Sequence, residues 1–232
     1  MRAMILSAGR GERLRPLTDV CPKPLLSLSN KDTLISRTLR LLSDANVQDV
    51  VINLAWLGEK IEQALGDGSE FGVQIHYSKE LSGSLETAGG IANALSLLGD
   101  EPFIVVNGDI LTDIDFNSVS EVAKQLTARQ SACLWLVDNP THNIQGDFGI
   151  DSDGYLSLSD KPFYTFSGIS AYHPNFFANI AKGEKMPLLP LLREGAKNHN
   201  VLARHLNANW LDVGTVERLD KARALIAQGV II

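Results

Sequence analysis

Cysteine is scarce: Cys21 and Cys133 are the only two in 232 residues, too few and too isolated for a disulfide framework or a cysteine-based zinc site. Two reduced thiols in a cytoplasmic protein is the expectation they leave. The five histidines, His76, His142, His173, His199 and His205, never form His-x-x-x-His or His-Glu-x-x-His, so a zinc hydrolase is unsupported. No Gly-x-Ser-x-Gly elbow surrounds Ser7 or Ser167, which argues against serine hydrolysis on an α/β sheet. No apolar run approaches membrane-spanning length, and the short one at Ala3–Leu6 opens into a Gly/Arg loop, not a signal-peptide cleavage site. Positive charge is in the minority as well. Twenty-one Lys and Arg stand against 27 Asp and Glu, and the net charge of −6 argues against general nucleic-acid binding.

Apolar residues at 44% and charged residues at 21% describe a globular chain, long enough to bury roughly 70–75% of its unfolded surface. Short apolar runs at Ala3–Leu6, Asp49–Asn53, Val73–Tyr77 and Phe103–Val106 read as strands. They alternate with helical periodicity over Leu34–Leu42, Glu59–Leu65 and Thr87–Leu98. Such alternation predicts an α/β fold: a Rossmann-like, mostly parallel sheet covered by helices on both faces. A further helix near Val119–Leu126 and a strand at Ala132–Val137 complete a core over residues 1–137.

The rhythm then changes. Phe148–Ile150 and Tyr155–Leu158 flank the turn Asp151–Ser152–Asp153–Gly154 as a hairpin. With the strand Thr165–Tyr172 they predict a small strand-rich lobe over 138–174. A helix after His173–Pro174, another over Pro187–Lys197 with Leu188, Leu189, Leu191 and Leu192 on its apolar side, strands at Val201–Leu206 and Trp210–Val213, and a last helix from Thr215 make residues 175–232 the part that completes the core. Little chain follows that helix, leaving little room for a large C-terminal domain, and a monomer or small homo-oligomer is the expectation.

Chemistry concentrates in Leu6–Ser7–Ala8–Gly9–Arg10–Gly11–Glu12–Arg13–Leu14–Arg15–Pro16–Leu17–Thr18, closed by Pro22–Lys23–Pro24. Gly9 and Gly11 remove Cβ atoms where the backbone turns, and Arg10, Arg13, Arg15 and Lys23 surround that turn with positive charge, a combination suited to polyphosphate. Two known phosphate motifs are missing: Leu14 stands where a dinucleotide fingerprint needs its third glycine, and no P-loop occurs. Asp109, after the apolar strand 103–106, and Asp212, before the last helix, both lie at predicted strand ends. Ligands of open α/β sheets bind outside the carboxyl ends of strands, and two converging carboxylates suit Mg²⁺, which completes its shell with water and substrate phosphate. Each aspartate could equally cap a turn.

The string Gly9–x–Gly11–x–Arg13–x–x–Pro16–x–Thr18 with Pro22–Lys23–Pro24 resembles the signature of the sugar-phosphate nucleotidyltransferases. The resemblance continues through Val106–Asn107–Gly108–Asp109, Phe166–Ser167–Gly168–Ile169 and Trp210–Leu211–Asp212–Val213–Gly214–Thr215. It implies that Leu6, Ala8, Gly9, Gly11, Glu12, Arg13, Lys23, Glu86, Gly89 and Gly90 bind the nucleotide, with Arg13 and Lys23 also catalytic. It implies that Asp109 and Asp212 hold catalytic Mg²⁺, and that Asn107, Asn139, Asp147, Lys161, Ser167 and Gly168 form the sugar-phosphate pocket. Lys161 sits in Asp160–Lys161–Pro162 where many relatives have Glu-Lys-Pro, and it reads equally as a solvated loop charge. Ser7 departs from the Ala or Gly of many relatives.

Within the family, Asn53–Gly58, Leu85–Ile91, Leu136–Pro140 and Gly146–Phe148 resemble members that use UTP and a sugar 1-phosphate, specifically N-acetyl-α-muramic acid 1-phosphate of peptidoglycan recycling. The alternatives left open are a hexose or N-acetylhexosamine 1-phosphate with UTP or another nucleoside triphosphate, and a non-catalytic nucleotide sensor. No nucleic-acid or membrane partner is implied.

Overall fold

The computed structural model describes residues 1–80 and 83–231. In chain order the strands are β1 (Arg2–Leu6), β2 (Asp49–Leu54), β3 (Gln74–Lys79), β4 (Phe103–Asn107), β5 (Ile110–Thr112), β6 (Ala132–Val137), β7 (Gly149–Ile150), β8 (Leu156–Ser157), β9 (Thr165–Tyr172), β10 (Val201–His205) and β11 (Trp210–Asp212). The helices are α1 (Leu17–Val20), α2 (Leu34–Asp44), α3 (Gly58–Leu65), α4 (Glu86–Leu98), α5 (Phe116–Lys124), α6 (Leu188–Lys197) and α7 (Val216–Ala227). None is long and apolar enough to cross a membrane among the described residues.

Seven strands form one sheet in the order β10-β6-β9-β4-β1-β2-β3. β1 runs parallel to both β2 and β4, so Ala3 lies between Val50 and Ile104. Successive strand residues point to opposite faces, and both faces are apolar because both are covered. Ala3, Ile5, Val50 and Ile52 pack with Ile35 and Leu39 of α2 and Val119 of α5. Met4, Val51 and Val105 pack on the other side with Ile91 of α4 and Leu188 and Leu192 of α6. α2 begins where Thr33 and Ser36 exchange reciprocal caps, the Thr33 side chain accepting from the Ser36 N–H at 3.2 Å.

The strand Thr165–Tyr172 departs from expectation. β9 is not part of a lobe; it lies in the main sheet between β4 and β6 and is antiparallel to both. All eight of its residues are buried or half-buried, and a chain returning from the β7–β8 hairpin satisfies their backbone groups most directly by filling the gap between two parallel strands. The hairpin itself forms as read: Asp151 Oδ1 accepts from the N–H groups of Asp153 and Tyr155 at 3.0 and 2.9 Å, and Gly154 takes φ +83°.

Other differences are local. The segment after His173 is one 3₁₀ turn, Pro174–Phe177. Another such turn is Lys23–Leu25. Leu189 and Val216 are exposed, because α6 faces the core with Leu188, Leu192 and Ala196 and α7 with Leu219 and Ala222.

β5 went unread in the sequence, and it positions the site. It pairs antiparallel with β11, placing Asp212 opposite Ile110. The Val213 N–H then donates to the Asp109 carbonyl at 2.9 Å. A small third core of Leu14, Leu111, Leu211, Val213 and Leu219 holds this ribbon and α7 against the opening loop.

Candidate active site

A cleft of about 490 Å³ opens at the carboxyl ends of β1 and β4. One wall is the loop after β1. Gly11 has φ +68°, and a Cβ there would stand 3.0 Å from Thr18 Cγ2 and 3.2 Å from Lys23 Cβ, so glycine is required on two counts. Its carbonyl accepts from Thr18 Oγ1 and from the Leu14 N–H, each at 2.9 Å. Gly9 differs: nothing lies within 4 Å of a Cβ built on it. Packing does not demand glycine there, and the bare backbone faces open space on the cleft.

The four basic residues of the loop separate. Arg13 and Lys23 line the cleft. Arg15 pairs with Asp19 at 2.9 Å, and Arg10 lies 4.3 Å over the Trp56 ring with Asp19 at 3.7 Å. The expectation that all four charge the turn is thus corrected to two, since one carboxylate and one indole draw the others outward. Lys23, whose side chain is only 13% exposed, is ion-paired with Asp109.

Asp212 approaches from β11. Arg218 Nη1 lies 3.0 Å from its carboxylate and His142 Nε2 3.1 Å. Burial pushes the Asp212 carboxyl above the ordinary carboxylate value; Arg218 and then His142 pull it back, and the nearby charge of Asp109 adds to the push. Gly214 lets this cluster close. A Cβ on it would stand 2.2 Å from Arg218 Nη2 and 3.1 Å from Arg13 Nη2.

Behind the loop lies a buried polar chain. Asn53 Oδ1 accepts from the Ser7 N–H at 2.7 Å, and its Nδ2 donates to Glu80 Oε1 at 2.6 Å. Glu80 Oε2 accepts from the Leu85 N–H at 2.7 Å. Burial pushes the Glu80 carboxyl up, against the pull of those two donors. The chain thereby ties the β1 loop to the start of α4, whose Glu86 and Thr87 form the opposite wall with Ser84.

Of the residues expected at the nucleotide, Leu6, Ala8, Gly9, Gly11, Glu12, Arg13, Lys23 and Glu86 line the cleft. Gly89 and Gly90 do not: they let α4 pack closely. A Cβ on Gly89 would meet the Glu184 carbonyl at 2.2 Å, and one on Gly90 would meet Glu80 Oε1 at 2.8 Å. Asp109 and Asn107 line the cleft, and Asn107 abuts Gly168, whose φ is +76°.

The remaining sugar-side residues lie apart. Ser167 is fully buried, donating to the Trp135 carbonyl at 2.7 Å and accepting from the Ile169 N–H at 3.1 Å beside a register shift of β6 on β9. Asn139 ties its loop to the Phe163 carbonyl and to Thr165 Oγ1, both at 2.9 Å. Asp147 accepts from the Phe166 N–H at 2.8 Å. Lys161 is exposed, away from the cleft lining.

Asn53, Glu80, His142, Gly214 and Arg218 were not assigned to the site from the sequence, although Asn53 and Gly214 stand within strings that carry the family resemblance.

A family model described as Nucleotidyl transferase matches residues 2–229. An N-acetylmuramate alpha-1-phosphate uridylyltransferase of Neisseria meningitidis is 52% identical over 227 residues, 97% of this chain and 98% of that one. A protein of the same description from Caulobacter vibrioides is 31% identical, covering 97% of each chain. Among solved structures, a putative glucose-1-phosphate thymidylyltransferase from Bacillus anthracis superposes with a TM-score of 0.83 at 22% identity, covering 97% of this chain and 95% of that one, and so shares the fold. With the opening loop, the two aspartates and near-complete matches agreeing, the chain belongs to the nucleotidyl transferase family.

Proposed function

We propose that the chain transfers UMP from UTP to N-acetyl-α-muramic acid 1-phosphate, giving UDP-N-acetylmuramic acid and pyrophosphate, in cytoplasmic peptidoglycan recycling. The observation that carries the reaction type is the meeting of Arg13 and Lys23 with Asp109 and, through Gly214 and Arg218, Asp212 at one cleft. The sugar and nucleotide are supported by the 52% identity over 97% of the chain to the Neisseria protein.

The acceptor is its own nucleophile. A phosphate monoester has a second pKa of about 6, so its oxygen is largely ionised near neutral pH and attacks the α-phosphorus in line as pyrophosphate leaves. No general base is needed, and catalysis reduces to positioning and charge neutralisation. Arg13 and Lys23 neutralise the transferring and leaving phosphates, Arg13 as a fixed cation that stays protonated. Open backbone at Gly9 admits close approach of the nucleotide. Asn107 and Gly168 are the proposed contacts to the acceptor phosphate, while Asn139 and Asp147 shape that side by holding its loop.

The residues fit Mg²⁺. Asp109 and Asp212 offer hard oxygen donors from adjacent ends of β5 and β11, and the nearby Asp109 raises the cost of the Asp212 charge, which a divalent cation relieves. His142 lies 3.1 Å from the Asp212 carboxylate, yet among the described residues no group of three or more His, Cys, Asp or Glu is placed to hold a metal, and two carboxylates suit Mg²⁺ with water and substrate phosphate as the other ligands. Bound there, Mg²⁺ would offset repulsion between two anionic phosphates.

The test is a matrix of five nucleoside triphosphates against several sugar 1-phosphates with Mg²⁺, following pyrophosphate. Turnover confined to UTP and the muramic acid derivative is expected. Preference for a hexose 1-phosphate would reassign the sugar, and absence of pyrophosphate in every well would point to a nucleotide sensor.

A further inference from the structure

Arg218 is an arginine where a helix least favours one. Thr215 caps α7 by accepting from the Arg218 N–H at 3.3 Å, which places Arg218 in the first turn, beside the positive end of the helix dipole. Helical side chains lean toward the N-terminus, so the guanidinium is carried back past Gly214 to Asp212 at the end of β11. Its side chain is 12% exposed.

Pairing with Asp212 does not account for the whole group. A guanidinium that serves only as partner to a carboxylate presents two nitrogens in a fork. Here Nη1 alone meets both Asp212 oxygens, at 3.0 Å each, and the same nitrogen lies 2.5 Å from His142 Nε2. Nε is buried with no hydrogen-bond partner. Nη2 turns toward Gly214, where a built Cβ would stand 2.2 Å from it and 3.1 Å from Arg13 Nη2. Two guanidinium ends thus converge beside a glycine that lines the cleft. Like charges so placed repel, and an anion beside them relieves the repulsion.

The missing anion has a side. Arg13 and Lys23 face the triphosphate in the proposed reaction, whereas His142 belongs to the 138–147 loop that carries Asn139 and Asp147, on the acceptor side. Asp212 is also a proposed Mg²⁺ ligand, and a guanidinium and a divalent cation sharing one carboxylate leave positive charge in excess. The acceptor supplies the counter-charge. N-acetyl-α-muramic acid 1-phosphate carries two oxyanions, its phosphate and its lactyl carboxylate, and either matches a planar, permanently charged fork.

We propose that Arg218 is a specificity residue that pairs with Asp212 in the free chain and binds an oxyanion of the sugar-phosphate acceptor in the working complex. This inference rests on the uridylyl-transfer reading and adds to it the cation that holds the acceptor.

Calorimetric titration of the full chain with three nucleotides in Mg²⁺ tests it without turnover. UMP carries neither acceptor anion, UDP-N-acetylglucosamine carries the acceptor phosphate, and UDP-N-acetylmuramic acid carries the phosphate and the carboxylate. R218Q should bind UDP-N-acetylmuramic acid at least about tenfold more weakly than the native chain, while UMP affinity stays within about twofold. An equal loss for UDP-N-acetylglucosamine assigns the phosphate to Arg218, and a loss confined to the muramic acid product assigns the carboxylate; both uphold the proposal. R218K keeps the charge beside Asp212 but not the planar fork, and it should show the same order with a loss of about threefold or more, which decides the matter if R218Q gives no cooperative melting transition. In steady-state assays either variant should raise the KM for the acceptor more than that for UTP. Affinities for all three nucleotides within about twofold of native, or a loss for UMP as large as for the muramic acid product, overturn the proposal alone. A native chain that binds none of the three and releases no pyrophosphate with any sugar 1-phosphate overturns the uridylyl-transfer reading and the proposal with it.

Discussion

Asn53→Ala probes the buried polar chain behind the cleft. Asn53 is 3% exposed and Glu80 5% exposed. Removing the amide leaves the buried Ser7 N–H without its 2.7 Å acceptor and takes one of two donors from a buried carboxylate. An orphaned buried amide costs about 1–3 kcal/mol and a lost hydrogen bond to a charged group about 1.5–3. Together they come to roughly 3–5 kcal/mol near neutral pH, a large share of the roughly 5–15 kcal/mol that holds a domain. Melting should fall by about 6–20 °C.

The loss should also depend on pH. Burial raises the native Glu80 carboxyl above its ordinary value of 4.5, while the Leu85 N–H and the Asn53 amide draw it down. A native state with a raised pKa holds its proton more tightly than the unfolded chain. Its contribution is therefore complete below the unfolded value and is lost as pH rises through the native one. Deleting Asn53 raises the native pKa further, so the variant's penalty grows above the ordinary glutamate range, while the Ser7 part stays constant.

Urea unfolding of native and variant protein at pH 5.0 and pH 7.5 measures both parts. The gap should be wider at pH 7.5 by about 1 kcal/mol or more, and Glu80→Gln in the same background should abolish that difference. A gap under about 1 kcal/mol at pH 7.5, or the same gap at both pH values, would refute the reasoning.

Gly214→Ala should leave stability within about 1 kcal/mol, since the atoms its Cβ meets are the ends of Arg218 and Arg13, yet lower kcat/KM at least about tenfold by displacing both guanidinium groups; unchanged kinetics would sever Gly214 from the site. Arg13→Ala and Lys23→Ala should each cost at least about tenfold in kcat/KM, roughly 1.4 kcal/mol, and near-native rates in either remove that residue from catalysis. Asp109→Asn and Asp212→Asn should both raise the Mg²⁺ concentration giving half-maximal rate, and an unaltered Mg²⁺ dependence in both rejects them as ligands. Cys133 is fully buried and its thiol is pushed up to about 12 by burial, so it should resist a thiol-specific reagent until the chain is unfolded in denaturant; prompt reaction in the native state would contradict the burial.

Much of the fold was legible because it is local. Periods of two and 3.6 mark strands and helices wherever a segment's own apolar residues define its buried face, as in Phe103–Val106 and Leu34–Leu42. The Asp151–Gly154 turn is equally local, set by an aspartate side chain bonding to nearby backbone and by a glycine at positive φ. The loop from Leu6 to Pro24 was legible as a turn built on glycine for the same reason, since Gly11 and the residues its carbonyl binds, Leu14 and Thr18, are near in sequence.

Pairings between distant segments were not legible. β9 enters the sheet between β4 and β6 only because the completed layers leave a gap whose backbone groups need partners. The short β5 lacks enough residues to announce itself, yet its pairing with β11 brings Asp212 to Asp109 across 103 positions of sequence. Charge behaves likewise: composition put four cations around the opening turn, and Asp19 and Trp56 took two of them away. By itself the sequence determined most of the elements, the glycine turn after β1 and the family. The tertiary structure alone decided which cations face the cleft, which glycines only admit packing, and that Arg218 meets both Asp212 and His142, because each depends on neighbours that adjacency along the chain does not provide.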